Sequence, residues 1–169
     1  IIKGGTWSAY PWTYRQWFIK RCFDAANHLG EKKRIRYTSL AQSQTANQTA
    51  AYGIIGLTIE TRPDWINPKE ITRLREIGCT RVELGVQALD DEILNLTKRG
   101  HDVQSVVRAT VLLKAVGFKT DYHFLPGQPG SSASRDVEMF HQLFDDARFR
   151  PDMVKIYPCV VLPSAELAE

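Results

Sequence analysis

Cysteine is scarce and unpatterned. Cys22, Cys79 and Cys159 lie dozens of residues apart, so no metal-type spacing exists among them, and an odd, unspaced count argues against a disulfide framework. The expectation is buried structural thiols in a reducing compartment, the cytoplasm. Long apolar runs are missing as well: no stretch approaches the ~20 residues a membrane helix needs, and no signal peptide is visible. No G-x-G-x-x-G follows a candidate strand, which weighs against a Rossmann dinucleotide fold. No nucleophile–base pair, zinc set or phosphate loop is legible. An initiator methionine is absent, since the chain opens Ile1-Ile2-Lys3-Gly4-Gly5-Thr6 and stops at Glu169 just after Val160-Val161-Leu162-Pro163. The expected organisation is one domain, residues 1–169, truncated at both ends.

What is present supports a sizeable core. The chain has 169 residues, 43% of them hydrophobic, and a formal charge of +3 that permits an anionic partner without demanding one. Its clearest stretch runs from Gly53 to Gln87. Two β-branched apolar runs, one ending at Glu60 and one at Gln87, flank a helix. Asn67 can cap that helix, with Pro68 at its first position, Glu70 in the place of a capping-box partner and Gly78 closing the end. Ile71, Leu74 and Ile77 form its buried stripe. Such a βαβ unit predicts a parallel sheet.

The remaining elements follow from similar signals. Ile1 to Trp7 reads as a strand. A helix from about Pro11 is expected to bury Tyr14, Phe18, Cys22, Ala25 and Leu29 and to stop at Gly30. Thr38 to Tyr52 is irregular, with a short helix around Thr45 to Tyr52. Asp90 caps a short helix through Ile93, Leu94 and Thr97, and Asp102 caps another with Val103, Val106, Val107, Thr110 and Leu113 inward. Lys119 to Leu125 is a strand leading into the Pro126–Gly130 turn. Ser134 opens a helix burying Val137, Phe140 and Leu143, and Met153 to Val161 is the last strand. Five strands joined by helical crossovers predict an α/β protein, either a barrel or an open doubly wound sheet.

Each strand carries polar residues toward its carboxyl end, where α/β folds bind ligands. These are Gly4, Gly5 and Thr6; Glu60 and Arg62; Glu83 and Gln87; His123; and Lys155 with Tyr157. An internal ion-pair network, Glu60 with Arg62 or Arg81 with Glu83, accounts for single residues. Repetition at all five strand ends points to a binding site. The basic run Lys32-Lys33-Arg34-Ile35-Arg36 reads either as a solvated helix end or as a phosphate-contacting patch.

Several of these motifs together resemble a known family. They are Gly4-Gly5-Thr6, Gly56 through Asp64, Gly78 through Gln87, Arg99-Gly100-His101, Phe149-Arg150-Pro151-Asp152 and Lys155-Ile156-Tyr157-Pro158, with His123, Pro126 and Pro129 between. The sequence is similar over essentially its whole length to the radical S-adenosylmethionine (SAM) core of the Elongator catalytic subunit family. That resemblance implies a partial radical SAM (βα) barrel with parallel strands, of which this chain holds the second to sixth. It implies SAM and a 4Fe–4S cluster as cofactors and acetyl-CoA as cosubstrate. The implied activity installs a carboxymethyl group on C5 of the wobble uridine of tRNA, through a 5′-deoxyadenosyl radical that takes hydrogen from the acetyl methyl group.

Carried over residue by residue, Gly4, Gly5 and Thr6 match the motif that holds the SAM methionine amine and carboxylate. Glu60 and Gln87 match residues facing SAM, Arg99 an arginine that pairs with its carboxylate, and His123 a position at the adenosyl end. The cluster cysteines of the family belong upstream of Gly4, so no residue here is assigned as a metal ligand, no catalytic side chain is assigned, and this chain alone is not expected to perform the radical step. The acetyltransferase domain belongs beyond Glu169. Expected partners are tRNA and either Elongator-type subunits or a second copy, without a membrane. Two other readings stand beside this one. The first is a radical SAM enzyme of the coproporphyrinogen-oxidase-like type. The second is a cluster-less module that binds tRNA through Arg15, Lys20, Arg21, Lys32, Lys33, Arg34 and Arg36.

Overall fold

The structure, a computed structural model, describes residues 1–3, 5–31 and 35–160; Gly4, Lys32, Lys33, Arg34 and residues 161–169 lie outside the described residues. Four parallel strands, β1 (Thr58–Thr61), β2 (Arg81–Gln87), β3 (Lys119–Phe124) and β4 (Met153–Ile156), stand side by side in chain order. Sequential order is what a barrel requires, whereas a doubly wound sheet reverses direction at its centre. Ile2 adds a fifth position beside β1: its N–H donates to Thr58 O (2.9 Å) and its carbonyl accepts from Glu60 N (3.3 Å). The strand expected over Ile1 to Trp7 therefore narrows to one bridge, because the chain turns into a 3-10 helix at Trp7–Ala9.

Among the described residues six α-helices make the connections: α1 (Trp12–His28), α2 (Leu40–Asn47), α3 (Pro68–Glu76), α4 (Asp91–Leu96), α5 (Val103–Ala115) and α6 (Ala133–Asp145). Where a cap is local, the chain starts its helix as the sequence predicts. Asn67 accepts from Glu70 N, Asp90 from Glu92 N and Ile93 N, and Asp102 from Ser105 N. Ser39 and Ser132 cap α2 and α6 in the same way, so α6 opens at Ser132 rather than at Ser134. The short helix thus lies at 40–47 rather than 45–52, set by Ser39.

One sheet face is apolar. Ile59, Val82, Leu84, Val86, Tyr122 and Phe124 are buried there with Leu74, Ile77, Val106, Ala109, Leu113 and Leu143 of the helices. Strand alternation sends Glu60, Arg81, Glu83, Asp121, His123 and Lys155 to the opposite, luminal face, in registers Glu60↔Glu83↔Asp121 and His123↔Lys155.

Three expectations are corrected. The buried face of α1 is Arg15, Ile19, Phe23, Asp24 and Asn27, while Tyr14, Ala25 and Leu29 are exposed and Phe18 and Cys22 half-buried. The rotation follows from polar contacts that periodicity cannot see: Arg15 pairs with Glu70, Asp24 accepts from Ser43 Oγ (2.6 Å), and Asn27 meets Asn47 (2.7 Å). Glu70 consequently serves Arg15 rather than a capping box. In α6, Val137 is exposed and Met139 with Leu143 point inward. Of the three thiols only Cys79 is fully buried, and burial pushes it up to about 12; Cys22 and Cys159 are half-buried.

Candidate functional site

A cleft of about 330 Å³ opens at the carboxyl ends of β1 and β2, lined by Gly5, Thr6, Glu60, Arg62, Gln87 and Arg99 together with Thr61, Gly85 and Lys98. Six of the residues singled out in the sequence (Gly5, Thr6, Glu60, Arg62, Gln87 and Arg99) meet there. Gly4 lies outside the described residues.

Gln87 is held in an unusual backbone state. Its φ is +71°, at a register shift between Leu84 and Gln87. Its carbonyl accepts from Leu125 N (2.9 Å) and Gln128 Nε2 (3.1 Å), two contacts that fix the left-handed conformation. Strain of this kind persists where the surroundings over-determine it, often at ligand clamps. Gly85 completes the arrangement, since a Cβ there would stand 3.0 Å from Gln87 Nε2. The buried Oε1 of Gln87 has no hydrogen-bond partner among the described residues.

Arg99 enters from the loop between α4 and α5, and its buried Nε is likewise unpartnered. Burial, with the Arg62 guanidinium alongside, pulls Arg99 below its ordinary value. A carboxylate arriving in the cleft would relieve both effects. The loop is clamped from β1. Arg62 grips Asp64 with two nitrogens (Nε–Oδ1 2.9 Å, Nη2–Oδ2 2.6 Å), and the same Nη2 donates to Gly100 O at 3.2 Å. Gly100 has φ +75°, and a Cβ there would press the guanidinium at 3.2 Å. His101 ties down the far side by donating from Nε2 to Val86 O (3.2 Å). Arg62 is thus paired with Asp64.

His123 stands outside the cleft lining. Its Nε2 meets Glu83 Oε2 at 3.0 Å and its Nδ1 lies 3.7 Å from Glu60 Oε1. The Tyr157 ring packs edge-on against it at 5.5 Å. Glu83, almost wholly buried, also pairs with Lys155, so it is not the partner of Arg81, whose Nη1 is 3.6 Å from Asp121. Burial pushes the Asp121 carboxyl up. These charges form a luminal network that reaches the cleft through Glu60. Lys98 lines the cleft but carries no sequence signal beyond its position before Arg99.

Of the basic residues, Arg15 is withdrawn from any partner by burial against Glu70. Arg36 is exposed, in a groove on α1 separate from the cleft. Lys32, Lys33 and Arg34 lie outside the described residues. Among the described residues no helix is long and apolar enough to cross a membrane, and no group of three or more His, Cys, Asp or Glu side chains could hold a metal ion.

A model of the radical SAM superfamily matches residues 23–143. A tRNA uridine(34) acetyltransferase of Methanocaldococcus infernus is 50% identical over all 169 residues, and this chain spans 30% of its length. The solved structure of the archaeal Methanocaldococcus infernus Elp3 with an N-terminal deletion superposes with a TM-score of 0.92 at 48% identity, over 99% of this chain and 38% of that one. Coproporphyrinogen III oxidase from Escherichia coli shares the fold alone, at a TM-score of 0.59 and 19% identity over 77% of this chain and 30% of its own. With its sequential parallel strands, its polar lumen and these matches, the chain is a homologue of the tRNA uridine(34) acetyltransferases and belongs to the radical SAM superfamily.

Proposed function

We propose that this chain is the SAM-holding partial barrel of an enzyme that installs a carboxymethyl group on C5 of the wobble uridine of tRNA, with acetyl-CoA as cosubstrate. The observation that carries the SAM site is the convergence of Glu60, Gln87 and Arg99 on one cleft in which Gln87 Oε1 and Arg99 Nε await partners. An amino acid joined to a ribose asks for such a set: guanidinium for carboxylate, carboxylate for ammonium or hydroxyl, and backbone groups beside glycine. Arg99 would meet the methionine carboxylate, Gly4, Gly5 and Thr6 its amine and carboxylate, Glu60 and Gln87 would face the ligand between them, and His123 would face the adenosyl end. Bound SAM supplies a 5′-deoxyadenosyl group for hydrogen abstraction. The described residues do not fit a 4Fe–4S cluster, because its thiolate set is not among them, so the work of this chain is binding and orientation. Similarity over the full 169 residues to tRNA uridine(34) acetyltransferases supports tRNA as the substrate. The basic run Lys32, Lys33, Arg34 and Arg36 is proposed to contact it.

In the complete protein, Glu60→Ala, Gln87→Ala and Arg99→Ala should each weaken SAM binding by calorimetry, with Arg99→Ala losing about 10²-fold, the worth of a charged hydrogen bond. Wild-type affinity in all three would remove the assignment. Nucleoside mass spectrometry of tRNA treated with the complete cluster-loaded protein, SAM, acetyl-CoA and a one-electron reductant should reveal the carboxymethyl product. Conversion of a porphyrinogen instead would favour the coproporphyrinogen-oxidase-like reading.

The clamp on the Arg99 loop makes a separate prediction. Asp64→Ala removes no cleft-lining side chain but frees Arg62, which lines the cleft, from its bidentate partner, so SAM affinity should fall by about fivefold, close to one hydrogen bond. Arg62→Lys, which cannot reproduce the fork, should do the same. An unchanged dissociation constant for Asp64→Ala would show that the loop is held without the clamp.

A further inference from the structure

A second cavity, larger than the cleft, is lined by other residues. It is an open groove of about 820 Å³ between the second half of α1 and residues 35–38. Helix α1 leaves the cleft region just after the 3-10 turn at Trp7–Ala9. At about 1.5 Å per residue, the middle of the groove lies about 15–20 Å further along the helix axis. None of its lining residues belongs to the SAM-site reading.

Its walls combine charge and rings. Lys20, Arg21 and Arg36 supply three cations against one carboxylate, Asp24. That carboxylate is already met by Ser43 Oγ at 2.6 Å and Lys20 Nζ at 2.7 Å, with Arg21 at 3.8 Å. The Arg21 and Arg36 guanidiniums therefore stand in excess at an exposed surface. The Trp17 ring is 56% exposed, and the His28 and Tyr37 rings stack at 5.7 Å and 12°. His28 Nε2 contacts both Ile35 O (2.8 Å) and Ile35 N (3.1 Å), which pins the second wall to α1. Cations that track a phosphate backbone, with exposed aromatic faces between them, are the ingredients of a single-stranded or loop RNA platform.

We infer that this groove is a second RNA contact, taking a looped or unpaired stretch of the tRNA body with phosphates on Arg21 and Arg36 and a base against Trp17. The inference rests on the tRNA reading above and deepens it. The distance from the cleft matters: a lone nucleoside in the cleft cannot touch the groove, whereas a folded tRNA is large enough to span both. The groove would thus favour whole tRNA over the isolated uridine context.

The test uses the complete protein, labelled tRNA and fluorescence anisotropy across a salt series. Arg21→Gln/Arg36→Gln should flatten the slope of log K against log salt by about 1.4–1.8, the loss of two phosphate contacts. Trp17→Ala should weaken binding about tenfold with the slope kept, as expected for a lost stacking platform. SAM affinity should be unchanged in both, which separates the groove from the cleft and reports a folded protein. Wild-type tRNA affinity and slope in both variants would overturn the inference and leave the tRNA reading standing, and so would a change confined to self-association in sedimentation. Absence of tRNA binding by the unsubstituted protein would overturn both.

Discussion

Arg15→Met should accelerate amide exchange in α1 and α3 by about 10²–10⁴-fold, the signature of losing about 3–5 kcal/mol when one partner of a buried ion pair is removed. The Arg15 side chain is 1% exposed and the Glu70 side chain 5%. Two guanidinium nitrogens engage the two carboxylate oxygens, Nη2 to Oε2 at 3.1 Å. The Trp12 ring also lies 5.1 Å from the guanidinium. Methionine fills much of the arginine volume but supplies no donor. Glu70 would then keep a charge that the first turn of α3 stabilises by about 2 kcal/mol at most. Joining Arg15→Met to Glu70→Leu should restore most of the protection, because an apolar pair of similar volume removes the desolvation cost together with the attraction. Unchanged exchange in the single variant would mean that the pair adds nothing to the α1–α3 contact.

This pair also marks where sequence reasoning stops. Arg15 and Glu70 are 55 positions apart, and no local pattern joins them. Periodicity placed Tyr14, Phe18 and Leu29 in the core because it counts apolar residues. The helix instead turned Arg15, Asp24 and Asn27 inward, where each finds a polar partner on another element. Caps behaved oppositely. Asn67, Asp90 and Asp102 bind amides two or three residues ahead, so their helices were legible from a few adjacent letters. The cleft divides along the same line. Strand alternation at Glu60 and Gln87 was visible in the chain, and their convergence followed from parallel strands. Arg99 came from resemblance alone, since its loop is held at Gly100 by Arg62, 38 positions away. Lys98 and the positive φ of Gln87 left no trace in composition, because both are set by tertiary contacts.

The luminal network gives the second large effect. Glu83→Gln should destabilise the strand region by about 3–5 kcal/mol, since it leaves Lys155 as an uncompensated ammonium and deprives His123 of a charged acceptor. Burial by itself would raise the Glu83 carboxyl. Hydrogen bonds from Lys155 and His123, with the nearby charges of Lys155 and Lys3, outweigh it and hold the group below its usual 4.5. The sign of the pH dependence follows. A depressed folded-state value means that the stabilisation is complete above 4.5 and drains away as pH falls through the lowered value. The unsubstituted protein should therefore lose stability in that acid window, and Glu83→Gln, already without the interaction at neutral pH, should show a shallower acid slope. Tryptophan fluorescence against pH checks both. Identical acid slopes would mean that Lys155 and His123 do not favour the ionised form. Lys155→Met should share the acid-slope change, and combining it with Glu83→Gln should cost less than the sum of the two. Because His123 joins Glu83 to Glu60, the Glu83 variant should also weaken SAM binding at pH 7. Glu83 lies outside the cleft, so that loss would report the position of Glu60 rather than a missing contact.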